Sequence, residues 1–473
     1  MKDVLFTSAA EMLRRIRARD ISVVEVVTTH LAHIDAVNPL LNAVVTRCDE
    51  MALQRARKAD QALARGETPG LLHGLPITIK DAFDTAGVRS TGGTLGRADY
   101  IAPENATAVG RMLAAGAILI GKTNTPELTL FYDTDNLLFG ETYNPYDVTL
   151  SPGGSSGGSV AIVAAGGSAL DLGSDTGGSI RLPAHFCGVA GIKPTAGRVS
   201  RSGFILPAGV PVDPLTQVGP IARFVEDLAL VLPIISGADW KDSSVVPMSC
   251  GALDEVCIRN LHIAFYTDNG DAAVSPEVAA VVRDCARVVA EQGARVTEAR
   301  PPALDQSRSL FVRFFETDGG AWIRRTLQRL GTRETYPFLQ WTERGDDAPE
   351  ATASAFTALL EEWQRFRSDM LGFLKQYDVI LAPVHTSTAL PHGELTSAAR
   401  SPAFGYAQTY NLTGWPSAVV RAGTCGQGLP IGLQVVARPW QEHVALAVAS
   451  HIEEALGGWQ APPAFPVRPG MQS

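Results

Sequence analysis

Two glycine- and serine-rich stretches hold the side chains best suited to chemistry in this sequence: Ser151-Pro-Gly-Gly-Ser-Ser-Gly-Gly-Ser159 and Gly173-Ser-Asp-Thr-Gly-Gly-Ser-Ile-Arg-Leu-Pro183. Both are embedded in apolar sequence (Val160 to Ala165, Ala169 to Leu172, Val189 to Ile192), so they read as tight loops against a packed core and not as linkers. In Asp175-Thr176-Gly177-Gly178-Ser179, two glycines before a serine let consecutive amides converge beside the serine oxygen, where the oxyanion of an acyl transfer develops. Ser179 is therefore the nucleophile candidate. A serine hydroxyl needs a base, and no histidine motif accompanies this one, which leaves lysine as the usual substitute. Lys80 ends the apolar run Ile77-Thr78-Ile79, where desolvation favours a neutral, proton-accepting amine. Spacing alone leaves open a surface lysine at a strand end before Asp81.

Two further motifs satisfy a pattern and fail on context. Gly116 to Thr123 reads GAILIGKT, a formal phosphate loop, but Ala117 to Ile120 is a β-type run and Pro126 follows shortly. Lys122 therefore reads as part of a buried strand. Gly154 to Gly158 reads GSSGG, a formal nucleophile elbow around Ser156. An elbow places its serine between a strand and a helix, whereas Thr149 to Gly153 is turn-like and contains Pro152. The histidines that could complete such a site, His385, His392 and His443, lack a supporting context.

The elements that must position these loops are legible in outline. Ser8 with Glu11 and Ser22 with Glu25 are capping boxes that open two helices, and an all-helical N-terminal arm is expected over residues 1–70. From Leu75 onward strand-like runs alternate with helical ones: Ile77 to Ile79, a helix from Glu104 to Ala115, and Ile118 to Ile120. Leu261 to Tyr266, Val379 to Leu381, Ala418 to Arg421 and Gly432 to Val436 again read as strands, with a helix over Pro276 to Gln292. This alternation predicts an α/β core. Residues from about 303 to 376 read as a helical insertion rich in aromatics, including Phe311, Phe314, Phe315, Trp322, Trp341, Trp363 and Phe366, and forming part of a pocket wall.

Composition narrows the class further. With 473 residues, 45% of them hydrophobic, the chain has enough apolar sequence for a large core. Lys+Arg 40 against Asp+Glu 49 gives a net charge of -9, which argues against a nucleic-acid partner. The six cysteines show no CxxC spacing, so neither a zinc site nor a disulfide framework is expected, and a reducing compartment fits. Met1 to Thr7 has no signal-peptide pattern, and the most apolar stretch, Val160 to Leu170, is too short to span a bilayer. A soluble cytoplasmic protein without membrane partner is the expectation.

The chain resembles the amidase signature family. The residues that carry this are Gly74-Leu-Pro-Ile-Thr-Ile-Lys80-Asp81, the Gly153 to Gly158 block and Asp175 through Arg181. The likeness extends to Gly121-Lys-Thr-Asn-Thr-Pro126, Asn144-Pro145, Phe186 to Pro194, Asn411-Leu-Thr-Gly-Trp-Pro416 and Gly428 to Gln434. The resemblance implies one α/β amidase domain over 1–473, a mixed β-sheet core covered by helices on both sides. It implies a Ser-cisSer-Lys triad at Ser179, Ser155 and Lys80, in which Ser155, joined to its neighbour by a cis peptide, relays protons. The oxyanion hole would be the backbone of Thr176, Gly177, Gly178 and Ser179, and Ser156, Asp175 and Arg181 would orient the network. No metal and no cofactor is implied.

The same resemblance implies hydrolysis of an amide C–N bond through a serine acyl-enzyme, as monomer or homodimer. Thr129, Leu130, Phe131 and Tyr132 occupy the family's loop beside the relay serine, and with Trp415 they suggest an apolar acyl pocket. The substrate expected is a small molecule, a bulky or aryl amide or anilide, with aryl carbamates (urethanes) or esters as further candidates. The alternative is the glutamine-hydrolysing subunit of a tRNA-dependent amidotransferase, which shares these blocks but works in an obligate complex.

Overall fold

The computed structural model describes residues 2–340, 342, 351–396 and 401–463. Trp341, one of the aromatics of the helical segment, lies outside them. Eleven strands among the described residues form one mixed sheet: β1 (Val44–Arg47), β2 (Pro76–Lys80), β3 (Ile118–Thr123), β4 (Leu170–Asp175), β5 (Ala190–Lys193), β6 (Gln217–Ala222), β7 (His262–Phe265), β8 (Arg295–Glu298), β9 (Val379–Pro383), β10 (Ser417–Thr424) and β11 (Pro430–Ala437). Their order is β1-β3-β2-β4-β6-β5-β10-β11-β9-β7-β8. β2 runs parallel to β3 and β4, and β7 parallel to β8 and β9; the remaining pairs are antiparallel.

Every residue of β2, β3, β4, β5, β6, β9 and β11 is buried. Successive side chains of a strand point to opposite faces, so burial at every position requires cover on both faces, which the helices supply. The fold is α/β with a mixed sheet, as the sequence leads one to expect. The helices Gly157–Ala164, Arg181–Phe186 and Gly405–Leu412 are buried at every position. Gly157–Ala164 is apolar apart from Ser159. It opens with two glycines because the chain closes on it: a Cβ on Gly158 would stand 2.4 Å from the backbone nitrogen of Asn124 and 2.8 Å from the carbonyl oxygen of Ala43.

The N-terminal helices begin where their caps place them, at Ala9–Ala18 and Val23–Leu41. The Ser22 box is reciprocal, whereas at Ser8 only the serine caps, because the Glu11 carboxylate turns to Arg14. The arm is not all helical. β1 interrupts it and pairs with β3 at the sheet edge, since Val44-Val45 has a β-branched pattern that the edge of the sheet captures. Residues 303–376 carry the helices Ser307–Phe315, Ala321–Leu330 and Ala353–Phe373 and, among those described, no strand.

The six cysteines are unpaired thiols. Among the described residues no helix is long and apolar enough to cross a membrane.

Candidate active site

β2 and β4 are parallel neighbours, so their C-terminal ends lie side by side: Lys80 ends one, and Ser174 and Asp175 end the other. The loop before the buried helix Gly157–Ala164 brings Ser155 and Ser156 to the same place, and the Gly154–Ser155 peptide is cis. The Lys80 amine is fully buried and meets three hydroxyls: Ser155 Oγ at 2.7 Å, Ser156 Oγ at 3.0 Å and Ser174 Oγ at 3.0 Å. Burial pushes its pKa well below the usual lysine range, against the opposing pull of Asp171 and Asp175. Asp171 accepts from the Lys80 backbone N–H at 3.1 Å and from Thr123 at 3.0 Å. Burial raises its carboxyl to about 6, with these hydrogen bonds limiting the rise.

Ser179 is presented by a loop folded around one carboxylate. Asp175 accepts from the backbone N–H of Gly178 at 2.9 Å and of Ile180 at 3.1 Å, and from the Arg181 guanidinium at 2.9 and 3.0 Å. Arg181 in turn donates to Asn411 Oδ1 at 2.6 Å and Gln434 Oε1 at 3.0 Å, and Asn411 Nδ2 returns to Asp175 Oδ1 at 2.8 Å. Burial raises the Asp175 carboxyl, but Arg181, Lys193 and Asn411 more than reverse this and hold it below the usual carboxylate range. The two serine loops are tied together where the Ser156 N–H donates to the Ser179 carbonyl at 3.2 Å. Gly178 adopts φ +122, which a side chain would resist.

The loop geometry sorts the amides. The Gly178 N–H, expected to face a substrate oxyanion, is donated to Asp175 within the turn that precedes Ser179. Thr176, Gly177 and Ser179 line a cavity of about 300 Å³.

Thr129, Leu130, Phe131 and Tyr132 line the same cavity. Tyr132 stacks on Phe404 with ring centroids 3.8 Å apart, donates to the Gly177 carbonyl at 3.3 Å and accepts from Gln408 Nε2 at 2.7 Å. Phe311 and Phe315 approach from the helical segment. Trp415 does not reach this wall. It packs beside Tyr410 in the apolar cluster that also holds Phe311, and its carbonyl accepts from the buried Lys193. Behind Tyr132, Asp133 accepts from Ser151 and from Gly393 N–H at 3.0 Å, and His392 Nδ1 lies 2.9 Å from it, so this carboxylate braces the start of the loop that carries Ser155.

Lys122 stands apart from the site. It lies in β3, buried, donates to Phe83, Thr85 and Ser90, and pairs with Asp81 at 3.7 Å. Asp81 follows Lys80 in sequence but faces this second lysine. The sequence did not single out Ser174, Asp171 or Gln408. Ser174 carried a signal, since it stands in the same glycine-rich stretch as Ser179. Among the described residues no group of side chains has the make-up of a metal site.

Known proteins resemble this chain over nearly its whole length. It is 35% identical to the A subunit of glutamyl-tRNA(Gln) amidotransferase from Carboxydothermus hydrogenoformans, covering 96% of this chain and 98% of that protein. It is 36% identical to the protein of the same name from a Roseiflexus species, covering 99% of each. Among solved structures, 6-aminohexanoate cyclic dimer hydrolase superposes with a TM-score of 0.86 at 30% identity, over 98% of this chain and 100% of that one.

Two expectations are corrected by these relatives. The bulky or aryl amide, anilide, carbamate or ester substrate gives way, because relatives aligned end to end carry the name of an amidotransferase component. The aromatic lining on which that expectation rested does not exclude a small polar substrate: Arg308, Glu316 and Gln408 share the same cavity. The exclusion of nucleic acid, with a small molecule as sole partner, gives way with it, since those relatives are named for a tRNA-linked substrate. Net charge describes a whole surface and says little about one local contact. The family model for Amidase matches residues 25–446, and the chain belongs to the amidase signature family and is an amidase enzyme.

Proposed function

We propose that this chain hydrolyses a linear carboxamide through Ser179, with Lys80 and Ser155 moving the proton, and that it releases ammonia from glutamine as one component of a tRNA-dependent amidotransferase. One observation carries the chemistry: a desolvated lysine amine lies 2.7 Å from Ser155 Oγ, next to the cavity that Ser179 lines. A neutral amine has two N–H bonds and one lone pair, and three hydroxyls surround this one. In the neutral form Nζ can donate to two of them and offer its lone pair to the third, and this role falls to Ser155, the nearest, in the proposed relay. Similarity to the amidotransferase relatives along the whole chain supports the choice of amide.

In the forward half of the cycle Ser155 passes its proton to Lys80 and takes the proton of Ser179, whose oxygen bonds to the amide carbon. The N–H groups of Thr176, Gly177 and Ser179 hold the oxyanion, while Asp175, Arg181 and Ser156 hold the loops in place. The proton returns through Ser155 to the departing nitrogen, the C–N bond breaks and ammonia leaves. Water then attacks the acyl-enzyme by the same relay in reverse and regenerates Ser179. Thr129 to Tyr132 bound the space that the acyl chain fills.

The test is ammonia release from glutamine, and amide transfer to glutamyl-tRNA(Gln), by the purified chain alone and co-expressed with the remaining subunits from its own genome. Release that rises sharply with the subunits present and vanishes in Ser179→Ala is expected. No release from glutamine in either preparation would sink the amidotransferase reading.

A further inference from the structure

Gln408 is buried to 2% exposure and lines the cavity, yet its side-chain oxygen has no hydrogen-bond partner within the protein. Buried polar atoms are nearly always partnered, so an orphan acceptor on a cavity wall calls for a ligand. The orientation of the amide follows from its neighbours. Tyr132 has one hydroxyl hydrogen, and it is donated to the Gly177 carbonyl. The phenol oxygen must then accept from Gln408, which places Nε2 against Tyr132 and leaves Oε1 unpaired. A second orphan lies on the same wall. Thr129 Oγ1 is buried and unpartnered, on a β-branched residue held at φ +62.

We infer that Gln408 Oε1 is a substrate-reading acceptor, selecting amides whose acyl chain carries an N–H donor such as an ammonium group, with the Thr129 hydroxyl as a second polar contact. Two hydrogen bonds, of 3.3 and 2.7 Å, separate the Gly177 carbonyl from Gln408 Nε2. Tyr132 thus stands between Gln408 and the Ser179 loop, and the contact assigned to Gln408 is with a substituent along the acyl chain. A chain without a donor leaves Oε1 buried and dry, and that penalty is the source of the selectivity. The inference rests on Ser179 acting from this cavity, and it holds for glutamine or for any other donor-bearing amide.

The experiment compares kcat and KM for two matched pairs that differ only in the donor: glutamine against glutaramic acid, and 4-aminobutanamide against pentanamide. Each pair is run with the native protein, Gln408→Met and Gln408→Glu, in whichever preparation, lone chain or complex, turns over amide. The native protein is expected to favour the donor-bearing member at least about tenfold in kcat/KM, chiefly through KM. Gln408→Met should reduce this to about twofold or less, and Gln408→Glu, which keeps an outward oxygen, should preserve it. Turnover of the second pair without the first removes glutamine as the substrate and leaves the Gln408 inference to be decided by that pair. Discrimination that survives Gln408→Met, or a native protein that does not prefer either donor-bearing amide, overturns it.

Discussion

Asp171 binds the main chain of Lys80 and not its amine: the Lys80 backbone N–H donates to Asp171 Oδ1 at 3.1 Å, while Nζ turns to three serines. The carboxylate thus fixes the end of β2 without forming an ion pair that would hold the amine protonated.

This arrangement sets the pH dependence of the rate. Protonated Lys80 has no lone pair to offer, so kcat/KM should climb with pH through the depressed pKa of Lys80 and then level off. Asp171 favours the protonated amine through space, so Asp171→Asn should move this acid limb to lower pH. Steady-state pH profiles of the two proteins decide the matter, and a limb that stays put or moves upward would contradict the assignment of Lys80.

Ser155 and Ser156 touch the same amine but should not weigh the same. Only Ser155 is assigned to the relay, whereas Ser156 Oγ donates back to the Ser174 carbonyl at 3.3 Å. Ser155→Ala is expected to lower kcat by about 10²- to 10⁴-fold, the range of a lost proton-transfer group, and Ser156→Ala by considerably less. Circular dichroism confirms that both variants fold. Equal losses would refute the relay as drawn.

Asp175 and Arg181 are both fully buried, and each loses its main counter-charge if the other is removed. Asp175→Ala should therefore destabilise the protein by about 3–5 kcal/mol, read in denaturant melts. Arg181→Met should do so to a similar degree. A variant that unfolds at the native midpoint would show the pair to be dispensable.

The pair behind the cavity makes stability depend on pH. Burial lowers His392, but Asp133 outweighs it and leaves its pKa raised, with Asp135 and Glu141 adding to the effect. The ring of Tyr143 packs edge-on against it. A histidine raised on folding contributes fully below its unfolded value of 6.5, and its contribution fades as pH rises through the folded value. Asp133, lowered in the folded protein, contributes above 3.8 and fades as pH falls through its folded value. His392→Gln should cost roughly 1 kcal/mol near pH 6 and much less near pH 9, since the ring is partly exposed and its charge partly screened. Melting temperatures at the two pH values measure this, and a constant difference would rule it out.

Much of this architecture was legible in the residues because local pattern and tertiary need agree there. The runs around Ile77, Ile118, Val379, Ala418 and Gly432 are apolar and β-branched, and each is a strand in the folded chain. β6 escaped notice because Gln217-Val-Gly-Pro-Ile-Ala222 carries a glycine and a proline, which weaken the pattern that neighbouring strands nonetheless complete. β8 is exposed at both ends, so its side chains show no apolar face to read. At the site, spacing could suggest Ser179 and Lys80 separately, but the side-by-side placing of the strand ends they follow from depends on the parallel pairing of β2 with β4, a long-range fact. The use of the Gly178 N–H and the position of Trp415 are not legible for a different reason: each is settled by a near neighbour in sequence, Asp175 in one case and Tyr410 in the other, through a local bend of the chain that residue types do not display.

Arg181 is held at once by Asp175, Asn411 and Gln434, residues that the ribosome delivers far apart in time. A nascent chain that has emerged only as far as β9 has Ser179, Ser155 and Lys80, yet lacks two of the three groups that hold the Ser179 loop in shape. Hydrolytic competence therefore arrives late in synthesis, and interrupted products ending before Gln434 should be inert towards cellular amides.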